Sequence, residues 1–185
     1  MIALISPEEL RTVITQAKAG KAPGYDDLSI DMLKLVSSSD TVTLWIVTIL
    51  NAMLLRGEVP GDLLFGIIVM IPKSGSSTDV ENMRPITLLS ELTKLLSRIL
   101  ARRFKLVFMT DLRILDDAQR AFLANGNVQQ CIDAVLSCLE EAKTSKSFLA
   151  AILYDVRKAY DSVQLYSIAA TYRRFGFPSC LTKII

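Results

Sequence analysis

The sequence predicts a helix-rich α+β domain, and three observations carry that prediction. Leu88, Leu89, Leu92, Leu95, Leu96, Ile99, Leu100 and Phe104 recur at helical spacing, the clearest amphipathic pattern in the chain. Two short runs flank the turn Lys73–Asp79: Phe65–Ile71, rich in β-branched residues and stopped by Pro72, and Val80–Ile86. A third apolar run, Ser147–Tyr154, has strand length and ends abruptly on Asp155.

Taken in order, the elements begin with Ser6-Pro7-Glu8-Glu9. Ser6 is an N-cap, Pro7 suits the first turn, and the two acids complement the positive helix end, so a helix runs to about Ala19 and stops at Gly20. Residues 20–27 (GKAPGYDD) are turn chemistry without periodicity. Helices follow over about Ser29–Val36 and Asp40–Arg56, broken by Gly57 and Pro60-Gly61. In the second strand, Val80–Ile86, Pro85 forces an edge position. Asn127 caps a helix reaching Lys143, and a helix over about Val163–Phe175, capped by Asp161, ends at Gly176 and Pro178. No repeat or linker marks a second domain, and the apolar residues Leu181–Ile185 read as the truncated edge of a larger unit.

Composition excludes several classes. The chain has 185 residues, 51% of them hydrophobic, and a mean hydropathy of +0.37. Its longest uncharged stretch, Thr41–Leu55, carries three Thr and an Asn and is about three-quarters of the roughly 20 residues that a bilayer span needs, so a buried helix with Trp45 in the core is expected and no membrane partner. Glu8 and Glu9 interrupt any secretory leader. With no histidine, zinc sites, Ser-His-Asp triads and Cys-His dyads are excluded. The three cysteines lack metal-ligand spacing; Cys131 and Cys138, seven apart, read as small core residues on one helix face. A net charge of +2 leaves any nucleic-acid affinity to local patches. Catalysis therefore rests on carboxylates, lysines, tyrosines or metal ions.

Five segments, in order, then resemble the reverse transcriptases of non-long-terminal-repeat (LINE-type) retrotransposons. Residues 21–26 (KAPGYD) are similar to the family's KAPGxD segment, and Ile71-Pro72-Lys73 to its first fingers strand. Residues 82–89 (NMRPITLL) resemble NxRPIxLL, Gln119–Phe122 with Gly126 resembles QxxFxxG, and residues 155–163 (DVRKAYDSV) resemble DxxKAFDSV. Tyr160 stands where the family usually has Phe.

The resemblance implies a right-hand polymerase fold. Residues from 1 to about 145 would be fingers-like and those from about 146 to 185 the start of the palm, ending before the strand that carries an Asp-Asp pair. It implies RNA-directed DNA polymerase activity for the parent polyprotein, with two Mg²⁺ ions (Mn²⁺ as substitute), deoxynucleoside triphosphates, an RNA template and a DNA primer. Asp155 would be the catalytic metal ligand, joined by the backbone carbonyl of Val156. Tyr160 would pack under the incoming sugar, and the backbone amides of Lys158 and Ala159 would hold triphosphate oxygens. Lys73 and Arg84 would be the fingers cations on the triphosphate; a hairpin brings residues about eleven apart to one side of its tip. Lys94, Arg98 and Arg102, stepping by four with Arg103 and Lys105 adjacent, form a stripe suited to a template backbone or to solvent. The Asp26-Asp27 and Asp116-Asp117 pairs follow no apolar strand, so the chain alone is expected not to polymerise. The place of action is expected to be intracellular, the nucleus included.

Two rivals remain open on the residues. One is a non-catalytic nucleic-acid-binding or degenerate relic of a retroelement. The other is an unrelated α/β phosphotransferase with an Asp at a strand end, which would need a further acid-bearing parallel strand before Asp155.

Overall fold

The computed structural model describes residues 3–73, 80–110, 119–121, 126–156 and 159–184. They form helices α1 (Pro7–Gln16), α2 (Ile30–Val36), α3 (Asp40–Arg56), α4 (Glu91–Thr110), α5 (Val128–Ser145), α6 (Ala159–Ser162), α7 (Leu165–Arg174) and α8 (Ser179–Ile184), with strands β1 (Gly66–Pro72) and β2 (Met83–Leu89). Two compact units result: Met1–Arg103 with Val163–Ile185, and Phe104–Ser162.

Three serine caps set the starts of the first helices. Ser6 Oγ accepts from the Glu9 amide, Ser29 Oγ from that of Met32, and Ser39 Oγ from that of Val42, each satisfying an amide that has no intrahelical partner. Gly57 ends α3 in the left-handed conformation, φ 68°, with its amide donating to the Met53 carbonyl. The Glu8 carboxyl is held below its usual range, first by a backbone hydrogen bond and then by the Ser6 hydroxyl. A lowered folded pKa stabilises above the unfolded value, so this contribution fades as pH falls through the carboxylate range.

The core of the first unit is apolar and continuous in composition: Leu10, Val13 and Ile14 of α1, Ile30 and Leu33 of α2, Ile46, Val47, Leu50, Met53 and Leu54 of α3, Leu95, Leu96, Ile99 and Leu100 of α4, and Leu181 of α8 are all buried. Helix α1 packs against α2 and α3, while α8 lies on α3 and α7. The polar residues that interrupt the apolar α3 sequence have partners. Asn51 accepts from the Ile5 amide at 2.7 Å and donates to the Ile5 carbonyl at 3.0 Å, and buried Thr43 donates to the Ser37 carbonyl at 3.1 Å. Asn51→Leu would strand both backbone groups of Ile5, which is itself buried. A loss of about 2–3 kcal/mol in stability is expected, measured by denaturant unfolding.

Strands β1 and β2 form a two-stranded antiparallel sheet with Gly66 opposite Leu89 at its base and Pro72 opposite Met83 near its tip. Several expectations need correction here. The second strand begins at Met83 rather than Val80, whose segment Val80–Asn82 is a single 3₁₀ turn. Pro85 lies on an edge strand as expected, since in a pair of strands both are edges. Leu88 and Leu89, counted toward the amphipathic helix, close β2; α4 starts at Glu91. Helix α1 ends at Gln16 rather than Ala19, and α8 was not anticipated as a helix. Trp45, expected in the core, is 66% exposed because it lies on the outer flank of α3, away from Ile46, Leu50 and Leu54. The N-cap of α7 is Gln164, not Asp161, which falls within α6.

The second unit is different in character. Asn127 caps α5 by accepting from the Gln130 amide at 2.9 Å, as the sequence indicates, but α5 buries no side chain. Cys131 and Cys138 are accordingly exposed free thiols rather than core residues. The strand expected over Ser147–Tyr154 is absent: residues 147–156 carry no regular secondary structure and are exposed. A strand exists through hydrogen bonds to a neighbour, and among the described residues the one ladder is between β1 and β2. Among the described residues no helix is long and apolar enough to cross a membrane.

Candidate nucleotide-binding hairpin and carboxylate

The hairpin register brings two of the expected site residues together. Ile71 stands opposite Arg84, and the Lys73 amide donates to the Asn82 carbonyl at 2.8 Å, extending the pairing by one residue. Opposite residues of an antiparallel pair share a face, so Ile71 and Arg84 do; Lys73 stands one residue past the end of β1, at the same end of the sheet. Both cationic side chains are exposed there. A pair of cations at one end of a hairpin is suited to a polyphosphate, with Arg84 able to present a planar fork.

Asp155, Val156, Ala159 and Tyr160 belong to the second unit, and Lys158 lies outside the described residues. Asp155 is exposed on the extended segment that follows the apolar run. Tyr160, in the short helix α6, is 86% exposed, so its ring is open to a ligand rather than packed in a core. Ala159 opens α6, where an amide has no intrahelical acceptor. Among the described residues no group of three or more acids, cysteines or histidines converges on one point. Asp155 and Val156 follow one another on this exposed segment.

The stripe on α4 is engaged with its own protein. Glu91 is buried in the first turn of α4, where its oxygens meet Lys94 Nζ at 3.2 Å and the guanidinium of Arg98. Arg102 donates to the neutral Gln16 amide oxygen at 3.3 Å. Arg103 grips both oxygens of Glu9, at 2.8 and 2.6 Å, and donates to the carbonyls of Ala3 and Leu4. This pulls Glu9 away from the capping-box bond it would otherwise return to Ser6. Arg103→Ala is expected to cost about 2 kcal/mol, since four donor contacts that pin the first residues are lost at once; thermal unfolding would read it.

The 21–26 segment, a motif without an assigned role in the sequence, has one in the structure. Gly24 lies so close to the peptide joining Leu89 and Ser90 that a Cβ would sit 2.6 Å from the Leu89 carbonyl carbon and oxygen. Asp26 accepts from the buried Ser90 hydroxyl at 2.6 Å and from the Leu28 amide at 3.3 Å. Tyr25 meets Phe65 edge to face with centroids 5.9 Å apart. The glycine and the acid were legible as a motif; their partner, 64 residues on, was not.

Comparison with known proteins bears on this arrangement. Residues 71–185 match the family described as reverse transcriptase (RNA-dependent DNA polymerase). The chain is 31% identical over 160 residues to the probable RNA-directed DNA polymerase from transposon BS of Drosophila melanogaster, covering 86% of the chain and 17% of that protein. It is 29% identical over 160 residues to the RNA-directed DNA polymerase from mobile element jockey of Drosophila funebris, with the same coverage of 86% and 17%. The Pol polyprotein from type-1 retrotransposable element R2 of Popillia japonica is 31% identical over 175 residues, which cover 93% of the chain and 22% of that protein. The chain thus spans only about a fifth or less of the length of these relatives.

Proposed function

This chain belongs to the reverse transcriptase (RNA-dependent DNA polymerase) family, and on that premise we propose that it is the fingers and first palm region of a retrotransposon RNA-directed DNA polymerase. Residues up to about 145 are the fingers part and those from about 146 the palm part. The observation that carries the proposal is the far end of the hairpin, where Lys73 and Arg84 both stand exposed inside the matched residues. Cations so placed bind the phosphates of a deoxynucleoside triphosphate and neutralise charge that builds as the chain is extended.

Asp155 and the Val156 carbonyl would hold Mg²⁺. They fit it: this ion keeps water and phosphate oxygens in its shell and asks the protein for only one or two carboxylates. When bound, the ion supplies charge neutralisation at the phosphates. Tyr160 offers an exposed aromatic plane to the incoming sugar, and the Ala159 amide, with that of Lys158, offers donors to phosphate oxygens. Of Lys94, Arg98 and Arg102, the first two are paired with Glu91 and Arg102 faces the neutral Gln16, so Arg102 is the member of the stripe best able to meet a template phosphate. The template is RNA, the primer DNA, and the place of action inside the cell, the nucleus included.

The test is primer extension on an RNA template by the intact polypeptide that contains these residues. Mg²⁺-dependent incorporation of deoxynucleotides is expected, and its absence overturns the proposal. The 185-residue chain alone is expected to incorporate nothing, since neither Asp-Asp pair of the sequence follows an apolar strand: Asp26 is occupied by Ser90 and Leu28, and Asp116-Asp117 lies outside the described residues. Extension by that chain alone would refute this.

A further inference from the structure

We propose that Asp26 and Ser90 are positioning residues for the nucleotide, acting through the hairpin by fixing its base. This rests on the polymerase reading above. The turn at residues 24–27, closed by the Asp27 amide on the Gly24 carbonyl at 3.2 Å, touches both legs of the hairpin where they leave the core. Tyr25 packs on Phe65, the residue before β1. Gly24 and Asp26 hold Leu89 and Ser90, the last residue of β2 and the one after it. Thr93 of α4 adds a bond to the Leu63 carbonyl at 2.8 Å, so the first turn of the helix is tied to the same entry.

From that base the sheet projects with little other support: every side chain of β1 is exposed. Lys73 and Arg84 are at the far end. At about 3.3 Å per residue, the seven steps from Gly66 to Lys73 make an arm of about 23 Å. A tilt of about 5° at the base therefore moves the cations by about 2 Å, enough to break a phosphate hydrogen bond of about 2.9 Å and so to weaken nucleotide binding. A ribbon carrying phosphate-binding side chains at its free end needs its hinge locked, and the Asp26–Ser90 bond, with one partner buried, is a lock that touches no substrate.

Two measurements decide this. In the intact polypeptide, Asp26→Ala is expected to raise the KM for deoxynucleotide about 5–10-fold while kcat and primer–template affinity stay within about twofold. Asp26→Asn, which keeps an oxygen acceptor for Ser90, should stay near wild type, and Asp26→Ala with Ser90→Ala should equal Asp26→Ala alone. Additive effects in the double variant, or a fall in kcat at constant KM, overturn the proposal. In the 185-residue chain, hydrogen exchange should show Gly66–Pro72 and Met83–Leu89 losing protection in Asp26→Ala with α1–α3 unchanged. Loss of protection across α1–α3 as well would make the bond a general fold contact and overturn the positioning role. If the wild-type polypeptide incorporates no nucleotide, the polymerase reading falls, and hydrogen exchange alone decides whether the lock exists.

Discussion

Asp155→Asn in the intact polypeptide is expected to abolish deoxynucleotide incorporation, a fall on the order of 10³-fold or about 4 kcal/mol of lost transition-state stabilisation. The substitution keeps the shape of the side chain and removes the charge that makes it a ligand for a hard cation. Because Asp155 is exposed, stability should move by less than about 0.5 kcal/mol. Incorporation rate and unfolding midpoint measured on the same preparation separate the two effects. Activity retained within about tenfold would remove Asp155 from the metal-binding role.

The second large effect concerns α4. Lys94→Met with Arg98→Met leaves Glu91, only 1% exposed, without either cation. An uncompensated buried carboxylate costs about 3–5 kcal/mol, so the midpoint of thermal unfolding should fall by about 10 °C or more. If these side chains served only a template strand, stability would hold and nucleic-acid affinity alone would drop, with a shallower salt dependence. Adding Glu91→Leu to the double variant should restore much of the stability, because an apolar residue then fills the same buried position.

How much of this was legible in the sequence depends on how far apart the interacting residues are. The starts of α1, α2 and α3 were readable because a serine and the amide it caps are three residues apart. The hairpin was readable for a related reason: its two strands follow one another in the sequence, so the pairing that sets Ile71 opposite Arg84 joins neighbouring segments. Its register was less so, because Leu88 and Leu89 fit helical spacing as well as the end of a strand, and only pairing with Gly66 and Ile67 decides between them. The apolar run at Ser147–Tyr154 shows the limit of reading a strand from composition. Its residues suit a sheet, yet a strand is a relation between two segments, and the described residues hold none beside it. Trp45, Cys131 and Cys138 failed alike, since helical spacing tells which residues share a face but not whether anything covers it.

Within the site, the residue types were readable and their commitments were not. Lys94 and Arg98 looked like a stripe for a polyanion until the fold placed Glu91 beneath them. One signal was present, an acid three and seven positions before the two cations on the same helix, which is a spacing that permits an internal pair. The Gly24–Ser90 approach carried no such local sign.

The bare stretch from Phe148 to Tyr154 has a practical consequence. Phe148 is 93% and Leu153 94% exposed, and the window holds neither a charge nor a proline. Seven such residues with free backbone groups are a ready template for stacking with identical copies into cross-β fibrils. Preparations should therefore cloud or gel in a concentration-dependent way, with thioflavin fluorescence rising, and a lysine in place of Leu153 should slow that growth.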